Sequence, residues 1–442
     1  MNKFYLPFFA LLACAPMRAQ TTIPINKAGE KPAMAVIDFH GSGQAQQFMT
    51  AFNRTLWDEL QNSGQFKMVS RSFYPVQVPQ QPPDFRPAPA TPSLAQWAGP
   101  PISANWLAFG YTAVQNNQLV LYGWLFNVTQ TTVQSAQALG KIYVGTLDDA
   151  GAVKVARDFA ADILKYFGVK GLTGSKIYFV SDRTRHKEIW SMDYDGGNQT
   201  QLTHYNSITT FPAVSPDNTK VAFTTYAHGQ PQIFIHSLET GRKLPFYNQN
   251  ASMNAASDFT PDSRRLLLYS TAGAGYAQIF SANVDGSDFQ RISNCRCIDV
   301  EPKINPKTGA EIVFVSDRGG LPQIYRMNTD GTDVVRLTNG QGEAVNPSWN
   351  PDGQHIAFAW TRGFEPGNYN VFVMDVASRS VQQLTHDEGR CENPSWAPDG
   401  IHLVYSSKRG RSTELWSMLS NGEQKKPLTS VGNNEKPVWS RQ

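Results

Sequence analysis

Pro437-Val438-Trp439-Ser440-Arg441-Gln442, the last residues of this 442-residue chain, are the opening of a repeat. The same opening runs on as Asn346-Pro347-Ser348-Trp349-Asn350-Pro351-Asp352-Gly353 and as Asn393-Pro394-Ser395-Trp396-Ala397-Pro398-Asp399-Gly400. Weaker copies are Phe211-Pro212-Ala213-Val214-Ser215-Pro216-Asp217, Ser257-Asp258-Phe259-Thr260-Pro261-Asp262 and Glu301-Pro302-Lys303-Ile304-Asn305-Pro306. Prolines 216, 261, 306, 351 and 398 are 45, 45, 45 and 47 residues apart. A period of about 40–45 residues is that of propeller blades. A half-repeat at one end suits a ring whose last strand completes its first blade.

Each copy has a physical logic. The first proline is expected to open the innermost strand of a blade, where a missing N–H is tolerable. The apolar residue two positions on (Val214, Phe259, Ile304, Trp349, Trp396, Trp439) can wedge between neighbouring blades. Pro-Asp-Gly then makes a tight turn, proline pre-setting φ and glycine accepting the closing position. Asp-Gly pairs at 195–196, 285–286 and 330–331 turn the outer hairpin, and outer strands commonly end in Leu-Thr, as at 202–203 and 384–385. Counting outer strands predicts six blades. The first, from Lys176, takes its missing strand from Pro437–Ser440, which removes the exposed sheet edges.

Upstream lies a different pattern. Residues 33–39 read as a buried strand, and Phe48, Phe52, Leu56 and Leu60 mark one face of a helix. Trp106–Gln115 and Gln118–Thr129 predict a hairpin around Asn116-Asn117, and residues 150–167 a second helix. The Pro- and Gln-rich stretch from Pro75 to Pro101 reads as an extended excursion outside the core. The expected fold is therefore two-domain: an N-terminal α/β domain over 20–167, a linker over 168–175, and a six-bladed β-propeller of WD40-like repeats over 176–442, closed by the C-terminal strand.

Lys3, the apolar run Phe4–Ala15 and Ala19-Gln20 read as a signal peptide over 1–19, too short to span a bilayer. A soluble exported protein is expected, with lipidation at Cys14 as the rival start. No later stretch predicts a transmembrane segment. The formal net charge of +3, without a Lys/Arg run, offers nucleic acid no electrostatic footprint.

Candidate chemistry is sparse. Cys295, Cys297 and Cys391 lack a fourth ligand and a metal-type spacing, so free or locally paired thiols are expected and no metal. His204 and His386 follow Leu-Thr in two different blades; they would share a metal only if their loops converged across the channel. Arg183, Arg318 and Arg409 recur at one register, which predicts a blade-stabilising contact. No nucleophile elbow and no phosphate-binding glycine loop is found, so neither an enzyme nor a cofactor is expected. What remains is a surface: Phe211, Ala256, Glu301, Asn346, Asn393 and Lys436 should ring one mouth of the central channel by repeat symmetry.

With its repeats, the closing Pro-Val-Trp-Ser, the stretch Leu60-Gln61-Asn62-Ser63-Gly64-Gln65-Phe66 and the junction Gly168-Val169-Lys170-Gly171, the chain resembles the TolB family, periplasmic proteins of the Tol–Pal envelope system. The resemblance implies a non-enzymatic periplasmic monomer. Its propeller would bind the peptidoglycan-associated lipoprotein Pal, and its N-terminus TolA, in support of outer-membrane integrity and cell division. Glu301 matches a family position on the Pal-binding mouth. Thr22, Ile23 and Ile25 fall in the TolA-contacting segment, although Pro24 interrupts the strand pairing expected there. Two other classes compete: a generic exported propeller for peptides or glycans, and a metal-dependent propeller lyase using His204 and His386.

Overall fold

The computed structural model describes residues 31–273, 275–362, 365–386 and 388–441. The predicted signal peptide, Cys14, and the segment with Thr22, Ile23 and Ile25 lie outside these residues.

The α/β region is built on a mixed sheet. Strands β1 (Ala33–Val36), β2 (His40–Gly41), β3 (Lys67–Met68), β4 (Trp106–Gln115), β5 (Gln118–Asn127) and β6 (Gln137–Thr146) join in the order β3-β1-β4-β5-β6, with β2 on β4. Asn116 and Asn117, both at positive φ (50° and 58°), turn the β4–β5 hairpin as two left-handed residues must. Helices α1 (Met49–Asn62) and α4 (Asp149–Tyr166) cover one face. Phe52, Leu56 and Leu60 of α1 and Phe159 and Ile163 of α4 are fully buried there. The short helices α2 (Leu94–Ala98) and α3 (Val133–Ala136) belong to the opposite side.

The excursion from Pro75 to Pro101 departs from expectation, because it is part of the core. Trp97 of α2 is completely buried, and Phe85 and Leu94 are nearly so, against Leu107, Phe109 and Phe126 on the second sheet face. Phe85 stacks on Phe126 at 5.4 Å. The Pro-rich segment covers the second face over β1, β4 and β5, while Ile142 and Val144 of β6 stay exposed.

Six four-stranded sheets form the propeller. Blade one consists of 176–181, 188–193 and 200–201 plus the C-terminal strand 434–439. That strand pairs antiparallel with 176–181, Asn434 opposite Ser181 and Trp439 opposite Ile177, and Ser440 exchanges backbone and side-chain bonds with Lys176. The wedge residues are all buried, from Phe259 at 0% to Trp396 at 6% exposed. Trp439 packs with residues of blades six and one, including Val404 and Phe179.

Recurrent residues tie each blade. The hydroxyls of Thr203, Thr338, Thr385 and Thr429 accept the backbone N–H of Ile189, Ile324, Val371 and Leu415 at 2.8–3.0 Å, which explains the Leu-Thr signature. Arg183 donates to Ser181 and Asn434 and lies over Trp190; Arg318 donates to Ser316 and lies over Tyr325; Arg409 donates to Ser407 and lies over Trp416. The repeated arginine is thus a blade clamp.

Candidate functional site

The first motif proline does not open its strand. Pro212, Pro302, Pro347 and Pro437 are the fourth residues of strands 209–214, 299–304, 344–349 and 434–439. Each sits in a β-bulge where two residues oppose one on the neighbouring strand. A bulge removes the ladder bond that proline cannot donate, so mid-strand proline is tolerated. The residue before it takes up the turn: Phe211, Glu301, Asn346, Asn393 and Lys436 all have φ between 51° and 54°. Left-handed backbone costs a non-glycine residue roughly 1–2 kcal/mol. Five such residues around one ring are a strain pattern of the kind that marks binding sites.

These five and Ala256 line a single cavity of about 110 Å³ in the central channel. That volume takes a side chain or a few waters and is well below the roughly 300 Å³ of small-molecule pockets. Ala256 is the exception within the ring. Its blade has Ser257 in place of the proline and a differently placed bulge, and Ala256 itself is 2% exposed, so it offers almost no contact area. The missing motif proline in that blade was the signal.

The ring is internally bonded. Asn346 donates from its backbone N–H at 2.8 Å and from Nδ2 at 2.9 and 3.1 Å to the Glu301 carboxylate, and its own Oδ1 accepts the N–H of Asn393 at 3.3 Å. Lys436 Nζ lies 4.3 Å over the Phe211 ring. Below them, burial pulls the Lys303 amine below its usual range while Asp258 and Glu301 oppose the shift, and Lys303 donates to the Ser257 carbonyl. At the floor, Arg441 donates to both Asp258 oxygens at 3.2 and 3.4 Å. Sequence reasoning missed these two inner cations, which follow the motif's first proline by one and four residues.

The α/β region docks on blades six and one of the propeller. His402 Nε2 meets the Asn62 carbonyl at 2.6 Å and its Nδ1 meets Asp399 at 2.5 Å. Arg157 of α4 bridges Glu59 of α1 at 3.2 Å and Asp195 of blade one at 2.6 Å, and Tyr194 donates to Glu59. The hairpin turn 193–198 is therefore a docking element. A cleft of about 460 Å³ lies here, larger than the channel cavity, but the charges just named are already paired across it. The channel is the better candidate.

His204 and His386 are both exposed, in loops leaving blades one and five, with blade six between them. The structure does not bring them into a metal-ligating group among the described residues. Cys295 and Cys297 form a disulfide, and Cys391 is free and buried. Among the described residues, no helix is long and apolar enough to cross a membrane.

A closed six-bladed propeller with an α/β region docked on two of its blades and a strained polar cavity in its channel defines a two-part propeller protein. The family model described as the TolB beta propeller domain matches residues 164–442, and the chain belongs to that family. A TolB homolog of Chlorobium chlorochromatii is 31% identical over 218 residues, 49% of this chain and 47% of that protein. One of Chlorobium luteolum is 33% identical over 181 residues, 41% of this chain and 40% of that protein. These matches thus span about half the length, or less, of each curated relative. The crystal structure of TolB from Acinetobacter baumannii superposes with a TM-score of 0.76 at 22% identity, over 93% of this chain and 97% of that one, a likeness of fold.

Proposed function

We propose that this chain is the periplasmic propeller component of a Tol–Pal system and acts by binding, without catalysis. In this reading residues 1–19 direct export, 20–167 form the α/β domain, 168–175 the linker and 176–442 the propeller. The peptidoglycan-associated lipoprotein Pal docks at the open mouth of the channel. TolA engages the segment containing Thr22, Ile23 and Ile25. The assembly serves outer-membrane integrity and invagination at division.

The observation that carries the reading is the ring of five left-handed residues lining the channel, apart from the contacts that the α/β region makes with blades one and six. A side-chain-sized recess with a polar rim suits an inserted protein loop. The lyase reading loses its basis with His204 and His386 exposed on separate blades.

The test is capture of the host's own Pal by the mature protein. Glu301→Lys replaces the acceptor that Asn346 holds, and capture is expected to weaken about tenfold or more. Undiminished capture would reject this face as the Pal site. Removal of the segment through Ile25 should abolish TolA binding and leave Pal capture intact.

A further inference from the structure

The Cys295–Cys297 disulfide closes the loop that enters strand 299–304 of blade four. Its sulfurs stand against a buried carboxylate. Cys295 Sγ is 3.4 Å from Asp299 Oδ2, and Cys297 Sγ is 3.5 Å from Asp299 Oδ1. One ligand atom from each of the three residues lies within 4.8 Å of the others. No other group of three such residues occurs among the described residues. An open cavity of about 420 Å³, lined also by Tyr276, Arg296 and Arg318, gives access to the sulfurs.

We infer that the disulfide masks a metal site: once reduced, Cys295, Cys297 and Asp299 hold a thiophilic dication such as Zn²⁺. Two thiolates and a carboxylate are a donor set zinc accepts, with water in the remaining tetrahedral position. The ligand that sequence counting lacked is Asp299, two residues beyond Cys297 and fixed by the strand rather than by a spacing motif.

The chemistry balances. A dithiol reductant attacks one sulfur, its second thiol resolves the mixed disulfide, and it leaves as its own disulfide while Cys295 and Cys297 become thiols. The dication then displaces both thiol protons to solvent. Arg318 Nη2 now donates to both Asp299 oxygens at 2.9 Å, and its Nε to Ser316. On metal entry one oxygen turns to the ion and Arg318 keeps the other. Three negative ligands around a dication leave one negative charge, which the guanidinium balances.

The full mature chain, reduced with a phosphine, is titrated with Cd²⁺ and then challenged with Zn²⁺. One cadmium per chain with a thiolate-to-cadmium ultraviolet band, displaced by zinc, is the expected result. The oxidised protein, which still carries Cys391, should show no band. Cys297→Ser should lose it, and Asp299→Asn should weaken binding by about tenfold or more. Cadmium NMR of the reduced wild-type protein reports the carboxylate ligand independently, should Asp299→Asn fail to fold. No band in the reduced wild type, or wild-type affinity in Cys297→Ser, overturns the proposal; a sulfur-only cadmium shift removes Asp299 from it.

Discussion

Blade one and blade five have the same four-stranded order, yet one continuous segment makes blade five while blade one joins residues 434–439 to 176–201. In blade five the inner pair is connected by the tight turn at Asn350–Gly353, with Trp349 opposite Ile356. In blade one the equivalent pair, Trp439 opposite Ile177, has no connecting turn. Blade one has other support. Trp439 Nε1 donates to Ser175 at 3.0 Å, Ser440 bonds Lys176, and Arg157 and Glu59 of the α/β region grip Tyr194 and Asp195. The α/β region docks where the ring is joined, so a covalent link is replaced by packing and ion pairs.

That comparison can be broken first by deleting Pro437–Gln442. The deletion strips blade one of the second half of its inner strand, Trp439 included, and a large buried aromatic alone contributes about 3–5 kcal/mol. A fall in melting temperature of roughly 10 °C or more is expected by calorimetry. An unchanged melting temperature would show that the ring does not depend on this strand.

Trp439→Ala and Trp349→Ala come next. Both residues are under 5% exposed, and each replacement should cost about 3–5 kcal/mol. Hydrogen exchange separates them. Trp439→Ala should release the amides of 176–181 and of the docking turn together, whereas Trp349→Ala should leave that turn protected. Equal patterns would mean that blade one is no more dependent on its contacts than blade five.

The docking contact has a pH signature. Burial pushes the Glu59 carboxyl up to about 7, against the pull of Arg157. A carboxyl whose folded pKa is raised contributes its full stability at or below its unfolded value of 4.5, and loses it as pH rises through 7. The span is worth at most about 3 kcal/mol. Glu59→Gln should therefore gain stability relative to the wild type between pH 4.5 and 8, as seen in denaturant midpoints. A difference independent of pH would exclude Glu59 as the titrating group.

The smallest effect belongs to the channel floor. Arg441 is 29% exposed, and Asp258 also accepts the N–H groups of Phe259 and Ile304, so Arg441→Ala should cost less than about 1 kcal/mol. A larger loss in a chemical melt would make the tail a second fastening of the ring.

The ring was legible because its signals repeat. The proline period, the wedge residues and the Pro437–Ser440 remnant each occur in register, so one copy checks another. The non-repeating parts were opaque for physical reasons. Trp97, Phe85 and Leu94 enter the core from a segment without helical or strand period, so composition pointed to a loop. The bulge at Pro302 and its equivalents looked like a strand start, because a mid-strand proline is tolerated only where the ladder is already broken. Asp299 was invisible as a neighbour of both sulfurs, since strand geometry rather than spacing places it there. Symmetry gathered Phe211, Ala256, Glu301, Asn346, Asn393 and Lys436 around one cavity, and only Ala256 lacks the left-handed backbone, because its blade departs from the motif.

The joined blade also has a consequence in time. Strand 176–181 leaves the ribosome more than 250 residues before the strand that completes its sheet, and closing so long a loop is a slow, late step. Until then the propeller is an open stack with two raw edges. The ring therefore gains its cooperativity only once strand 434–439 has been made and has found its partner.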